Sequence, residues 1–125
     1  MKKTVMVVDD DGEVRKTLVD VLSSFFEVIE ASSGEAAVKL FCKHTPHVIL
    51  MDIAMPGMSG IEATRKIKEK HPRAKVIGLS AYHDTRGQEM LKAGAREVLP
   101  KPASLAVLLE RIRWHLEHNN NNKRD

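Results

Sequence analysis

Five short apolar runs punctuate the chain: Val5–Val8, Val28–Ile29, Val48–Met51, Val76–Leu79 and Val98–Leu99. Three of them are continuous and largely β-branched rather than alternating. That is the pattern of strands buried on both faces of a parallel sheet. Helix-like stretches lie between the runs. Val14, Leu18, Val21, Leu22 and Phe25 recur at helical spacing, as do Ala37, Leu40 and Phe41 behind Ser33-Gly34-Glu35. Ile61, Thr64 and Ile67 form a third stripe, and Met90-Leu91 belongs to a shorter, weaker helix. The last helix is predicted to start at Ser104, a suitable N-cap, and to bury Leu105, Leu108, Leu109, Ile112 and Leu116. Five strand–helix alternations imply an α/β three-layer sandwich with right-handed crossovers.

The chain's 125 residues suit one domain with a real core. We read residues 1–118 as that domain and 119–125, with the run Asn119–Asn122, as a polar disordered tail. Twenty basic and 17 acidic residues give a net charge of +3, too small and too dispersed to argue for direct nucleic-acid binding. The lone Cys42 has no partner for an intramolecular disulfide, which favours a reducing compartment. No stretch reads as a signal peptide or a membrane span, so the expectation is a cytoplasmic protein. The six histidines share no metal-ligand spacing and read as surface or helix-end residues.

The chemistry lies at the strand ends. Doubly wound sheets bind ligands outside the carboxyl ends of their strands, where the strand order reverses. The first strand ends on Asp9-Asp10-Asp11, the third on Asp52, the fourth on Ser80, and the fifth leads to Lys101. Several carboxylates at one edge require a cation, and hard oxygen ligands suit Mg²⁺ or Mn²⁺. Asp52 can act as a nucleophile and form an aspartyl-phosphate. Lys101 supplies a compact positive charge for a phosphate oxygen, and Ser80 a hydrogen bond. Each residue also has a plainer reading. Asp9, Asp10 or Asp11 could cap the first helix. Asp52 could be a turn residue, Ser80 a strand-end hydroxyl and Lys101 a solvated lysine. Gly57 and Gly60 read as turn residues.

At Asp9-Asp10, Asp52 through Gly60, Ser80-Ala81, Gly94-Ala95 and Lys101-Pro102, the chain resembles the receiver domain of two-component response regulators. The resemblance covers roughly residues 4–117. It implies a flavodoxin-like (βα)5 fold of strand order 2-1-3-4-5. It also implies phosphoryl transfer to Asp52 from a sensor histidine kinase or phosphotransfer protein. The domain would catalyse its own phosphorylation and slow autodephosphorylation without being a conventional enzyme. The implied metal ligands are Asp9, Asp10, Asp52 and the Ala54 carbonyl; Ser80 and Lys101 would contact the phosphoryl group. The Lys101-Pro102 bond would be cis.

Three positions refine that expectation. Receivers usually place a Tyr or Phe rotor three residues before Lys101; Val98 stands there. Switching would then rely on movement of Ser80 toward the fourth helix. Tyr82 and Ala54 are expected to line the path of water, bulky Tyr82 slowing phosphate loss and small Ala54 favouring it. Trp114 is expected on the exposed side of the last helix with Arg111. There it either lies flat on its neighbours or anchors a homodimer or output domain. Two other readings compete. A flavodoxin-like FMN or nucleotide binder would want a phosphate-cradling loop where Asp9-Asp10-Asp11 stands. A metal-dependent phosphohydrolase with an aspartyl nucleophile would leave Asp52-Met55-Pro56 without a role. The chain is expected to be a stand-alone receiver or a piece of a longer regulator or hybrid kinase.

Overall fold

A computed structural model describes residues 2–119. Strands β1 (Thr4–Val8), β2 (Glu27–Ala31), β3 (Val48–Asp52), β4 (Val76–Ser80) and β5 (Glu97–Pro100) form one parallel sheet of order β2-β1-β3-β4-β5. Helices α1 (Gly12–Leu22), α2 (Gly34–His44), α3 (Gly60–Lys70), α4 (Gly87–Ala93) and α5 (Leu105–Glu117) connect and follow them. This is the flavodoxin-like order expected.

The period-2 alternation of strand side chains divides the interior into two cores. Met6, Val8, Ile49 and Met51 face the α2, α3 and α4 side with Phe41, Ile67 and Met90. Val5, Val7, Val48 and Leu50 face the α1 and α5 side with Leu22, Leu108 and Ile112. All five residues of β3 are buried, so Asp52 ends the most enclosed strand of the sheet.

Helix starts are set by short polar side chains. Asp11, Ser33, Ser59 and Ser104 each accept a hydrogen bond from backbone N–H groups of the first turn of α1, α2, α3 and α5. Asp11 thus takes the plain capping role. The seven-residue α4 has no such cap.

Three expectations are corrected. Phe25 lies beyond the end of α1 and is exposed, while Phe26 is buried in its place. The helical period cannot be carried past the Ser23 C-cap, where the chain turns toward β2. Leu105 is exposed as well, and the buried stripe of α5 is Leu108, Ile112 and His115. His115 is therefore not a surface residue: it is 2% exposed, with Nε2 2.6 Å from Glu97 Oε2. The same Glu97 oxygen accepts from Arg111 Nε at 2.7 Å. A carboxylate supplied by β5 makes burial of an imidazole tolerable there. Burial nonetheless lowers the His115 pKa, with Glu97 acting against it. Trp114 is partly exposed and lies stacked on His118 at 3.9 Å, with Arg111 5.2 Å from the ring centre. That matches the flat-lying expectation.

The expected tail falls outside the described residues except for Asn119. Its side-chain oxygen accepts from Lys75 and its carbonyl from Arg96.

Candidate functional site

The strand order reverses around β1 and β3. These neighbours pair Val8 with Met51, so the next residues, Asp9 and Asp52, come level at the carboxyl edge. One strand spacing separates such neighbours, about 4.8 Å. Asp10 follows at the start of the loop. One carboxylate oxygen from each of Asp9, Asp10 and Asp52 lies within 4.8 Å of the others. Asp9 and Asp52 are buried and Asp10 is exposed, so the cluster opens to solvent on one side.

Lys101 reaches this cluster from the far side of β4. Its backbone N–H donates to the Ser80 carbonyl at 2.8 Å, continuing the β4–β5 pairing. The cis Lys101-Pro102 bond follows, as expected from the resemblance. Lys101 Nζ lies 2.9 Å from Asp9 Oδ2 and 3.4 Å from Asp52 Oδ1. Burial alone would lower the lysine pKa. The hydrogen bond to Asp9 and the charge of Asp52 outweigh it, and the ammonium is held above its usual value. Asp52 moves the other way. Burial, then the Asp9 charge, push its pKa up to about 6, against the pull of Lys101. It is ionised at neutral pH with a narrower margin than an ordinary aspartate.

The arrangement accepts more positive charge than Lys101 provides. Three carboxylates converge and only two of them meet the one ammonium, and the crowding already holds Asp52 partly toward its neutral form. Hard oxygen donors in this number suit Mg²⁺, which is held by few carboxylates and keeps several waters. The residues present therefore fit that ion. Ala54, two residues beyond Asp52, stands at the exposed rim, and among the described residues no hydrogen bond reaches its carbonyl.

Ser80 is engaged by its own loop. Its hydroxyl makes long contacts of 3.3 and 3.4 Å to the Ala81 and Asp84 carbonyls rather than to Asp52. Tyr82 is 90% exposed with its ring edge against His83, so it can shield Asp52 only by moving. With Val14, Leu18, Pro102 and Ala103 it lines an apolar groove of about 510 Å³ that reaches Lys101. Val98 is half-buried and packs among the residues of the α2–α4 core.

The glycines after Asp52 are not both plain turn residues. Gly57 has φ +72°, which favours glycine. Gly60 opens α3 directly over the end of β3, and a methyl group there would overlap the Asp52 carbonyl. Its N–H donates to the Ile53 carbonyl at 2.8 Å, closing the loop.

One neighbour escaped the sequence reading. Arg15 Nη1 donates to the Asp9 carbonyl at 2.8 Å and Nε to Glu30 Oε1 at 2.9 Å. Its place in the first turn of α1 was the available signal, because helical side chains lean back toward the amino terminus.

The family model for the response regulator receiver domain matches residues 5–113. Chemotaxis protein CheY of Bacillus subtilis is 35% identical over 115 residues, covering 90% of this chain and 96% of that protein. Response regulator GacA of Pseudomonas viridiflava is 38% identical over 113 residues, covering 87% of this chain. A cyclic di-GMP phosphodiesterase of Thermotoga maritima is 41% identical over 111 residues, again covering 87% of this chain. The chain spans 53% of that GacA and 30% of that phosphodiesterase. Among solved structures, a CheY-like receiver domain from Methanospirillum hungatei superposes with TM-score 0.88 at 27% identity, covering 94% of this chain and 95% of the other. The BeF3-activated DrrB receiver domain gives TM-score 0.83 at 32% identity, covering 94% and 100%.

Proposed function

The chain belongs to the response regulator receiver domain family, and from that premise we propose that Asp52 is the residue whose phosphorylation operates it as a switch. One observation carries the assignment: Asp9, Asp10 and Asp52 converge within 4.8 Å while Lys101 bridges two of them. Of the two buried carboxylates, Asp9 has both oxygens engaged, one by the Asp11 N–H at 2.9 Å and one by Lys101. Asp52 has one long contact to Lys101, which leaves an oxygen free to attack. That difference disfavours an Asp9-centred phosphohydrolase.

In the proposed reaction, an Asp52 oxygen bonds to phosphorus as the bond from phosphorus to the donor imidazole nitrogen breaks. The electron pair leaves with the imidazole. Lys101 already stands within reach of Asp52 and would follow the charge onto a phosphoryl oxygen. Ser80, held only by long contacts, would turn its hydroxyl from the Asp84 carbonyl to the same group. Asp9, Asp10, Asp52 and the Ala54 carbonyl would hold Mg²⁺, which when bound neutralises the phosphoryl charge.

Receiver domains of this family work with histidine kinases or phosphotransfer proteins and with output domains. For this chain the donor protein is proposed to approach over the open side at Asp10 and the groove beside Lys101. The α5 face with Arg111 and Trp114 is proposed for a second copy or an output domain. Residues 1–118 are taken as the functional unit, which the family match and the extent of α5 support. No helix among the described residues is long and apolar enough to cross a membrane. A reducing, cytoplasmic setting remains a proposal resting on the unpaired Cys42. Incubation with acetyl phosphate and Mg²⁺ followed by intact-mass measurement tests the core of the reading. Wild type should gain one phosphoryl group and Asp52→Asn none; labelling of the variant would refute the assignment.

A further inference from the structure

We propose that Arg15 is a positioning residue for cation binding, acting through the Asp9–Asp10 peptide; this rests on the reading that Asp9, Asp10 and Asp52 hold a divalent cation. The β1–β2 pairing ends at Val8 and Ala31, and the Asp9 N–H makes one further bond to the Ala31 carbonyl at 3.1 Å. Beyond that point the chain leaves the sheet for α1, and the sheet no longer orients its peptide groups. Arg15 takes over. Its guanidinium spans from the Asp9 carbonyl to the Glu30 carboxylate on β2, with only 20% of the side chain exposed.

The carbonyl of Asp9 belongs to the peptide plane that it shares with the nitrogen of Asp10. Holding that oxygen sets ψ of Asp9 and, because the plane is rigid, places the nitrogen and Cα of Asp10. It thereby sets the point from which the Asp10 side chain leaves the backbone. Asp9 has other restraints, through the Asp11 N–H and Lys101. Asp10 is exposed, and among the described residues no hydrogen bond engages its carboxylate. Its convergence with Asp9 and Asp52 therefore depends on the backbone, which Arg15 holds before Asp10 and the Asp11 N–H bond to Asp9 Oδ1 holds after it. A planar guanidinium donates along two directions at once, which a single ammonium cannot reproduce.

The sign of the effect separates positioning from simple charge. Arg15 places a positive charge beside a cation site, so Coulomb repulsion alone would make its removal strengthen Mg²⁺ binding. Loss of positioning would weaken it. Groups that orient metal ligands commonly contribute about 10–100-fold in affinity. Mg²⁺ titrations by calorimetry on the unphosphorylated full chain decide the matter. Arg15→Met is expected to weaken Mg²⁺ binding about tenfold, and Arg15→Lys, which keeps the charge, several-fold. Equal or tighter binding by Arg15→Met overturns the proposal. Thermal melting in chelator checks that each variant folds. If Arg15→Met does not, Arg15→Lys decides alone, and wild-type affinity in it overturns the proposal. The parent reading fails in a different way. A wild-type chain without Mg²⁺ binding, or Asp52→Asn binding as wild type does, removes the pocket assignment and this inference with it.

Discussion

Asp52 is crowded by design of its surroundings, and the crowding has a measurable sign. An ordinary aspartate titrates near 3.8, whereas burial and Asp9 raise this one to about 6. Between those values the folded chain keeps a proton that the unfolded chain has released. Stability therefore falls as pH rises through this window, and the loss is complete above about 6. A shift of two units corresponds to about 3 kcal/mol. In chelator, urea melts of wild type and Asp52→Asn should coincide near pH 4. By pH 7 the variant should be the more stable, by about 2–3 kcal/mol. Added Mg²⁺ should narrow the gap by binding wild type. Stability curves that stay parallel from pH 4 to 8 would show that Asp52 is not under strain. Asp9, Asp10, Asp52 and Lys101 were legible because acidic strand ends and a lysine past the last strand are conspicuous. Arg15 and His115 were not. Their partners, a backbone carbonyl and a β5 glutamate, leave no periodic trace in the sequence.

At the scale of elements, Gly60 joins strand to helix under a packing constraint. Alanine at a helix start is normally favourable, by up to about 1 kcal/mol over glycine. Here its methyl group would overlap the Asp52 carbonyl, and overlap with backbone costs about 1–3 kcal/mol because backbone cannot rotate aside. Gly60→Ala is expected to lower the denaturation midpoint despite the better propensity. A midpoint at or above that of wild type would mean that β3 and α3 can move apart freely. Strands and most helix starts could be read from apolar runs and capping residues such as Asp11, Ser33 and Ser104. Helix faces were harder. Phe25 continues an apolar period past the end of α1, and Leu105, the first residue of α5, falls outside the stripe that the helix buries. His115 took the place in the α5 stripe that an apolar residue would usually hold.

At the scale of the molecule, sheet order places the chemistry. With β1 between β2 and β3, the carboxyl ends of β1 and β3 meet at the reversal, and two acidic strand ends become one pocket. The two cores put α1 and α5 on one side and α2, α3 and α4 on the other. Asp52 lies at the seam, next to the loop that leads into the short, uncapped α4. That loop is held by long contacts of the Ser80 hydroxyl and by the Asp84–Arg86 pair at 2.7 Å. With half-buried Val98 packed against the core, we propose movement of this loop as the route for a signal to the outer face. The fold could be anticipated because its strand runs are strong. The route of the signal could not, since it depends on which weak contacts give way. Asp52 is proposed as the single carboxylate that receives the phosphoryl group. Intact-mass measurement after acetyl phosphate and Mg²⁺ tests it most directly. One phosphoryl group on wild type and none on Asp52→Asn is the predicted result; equal labelling of both chains would contradict it.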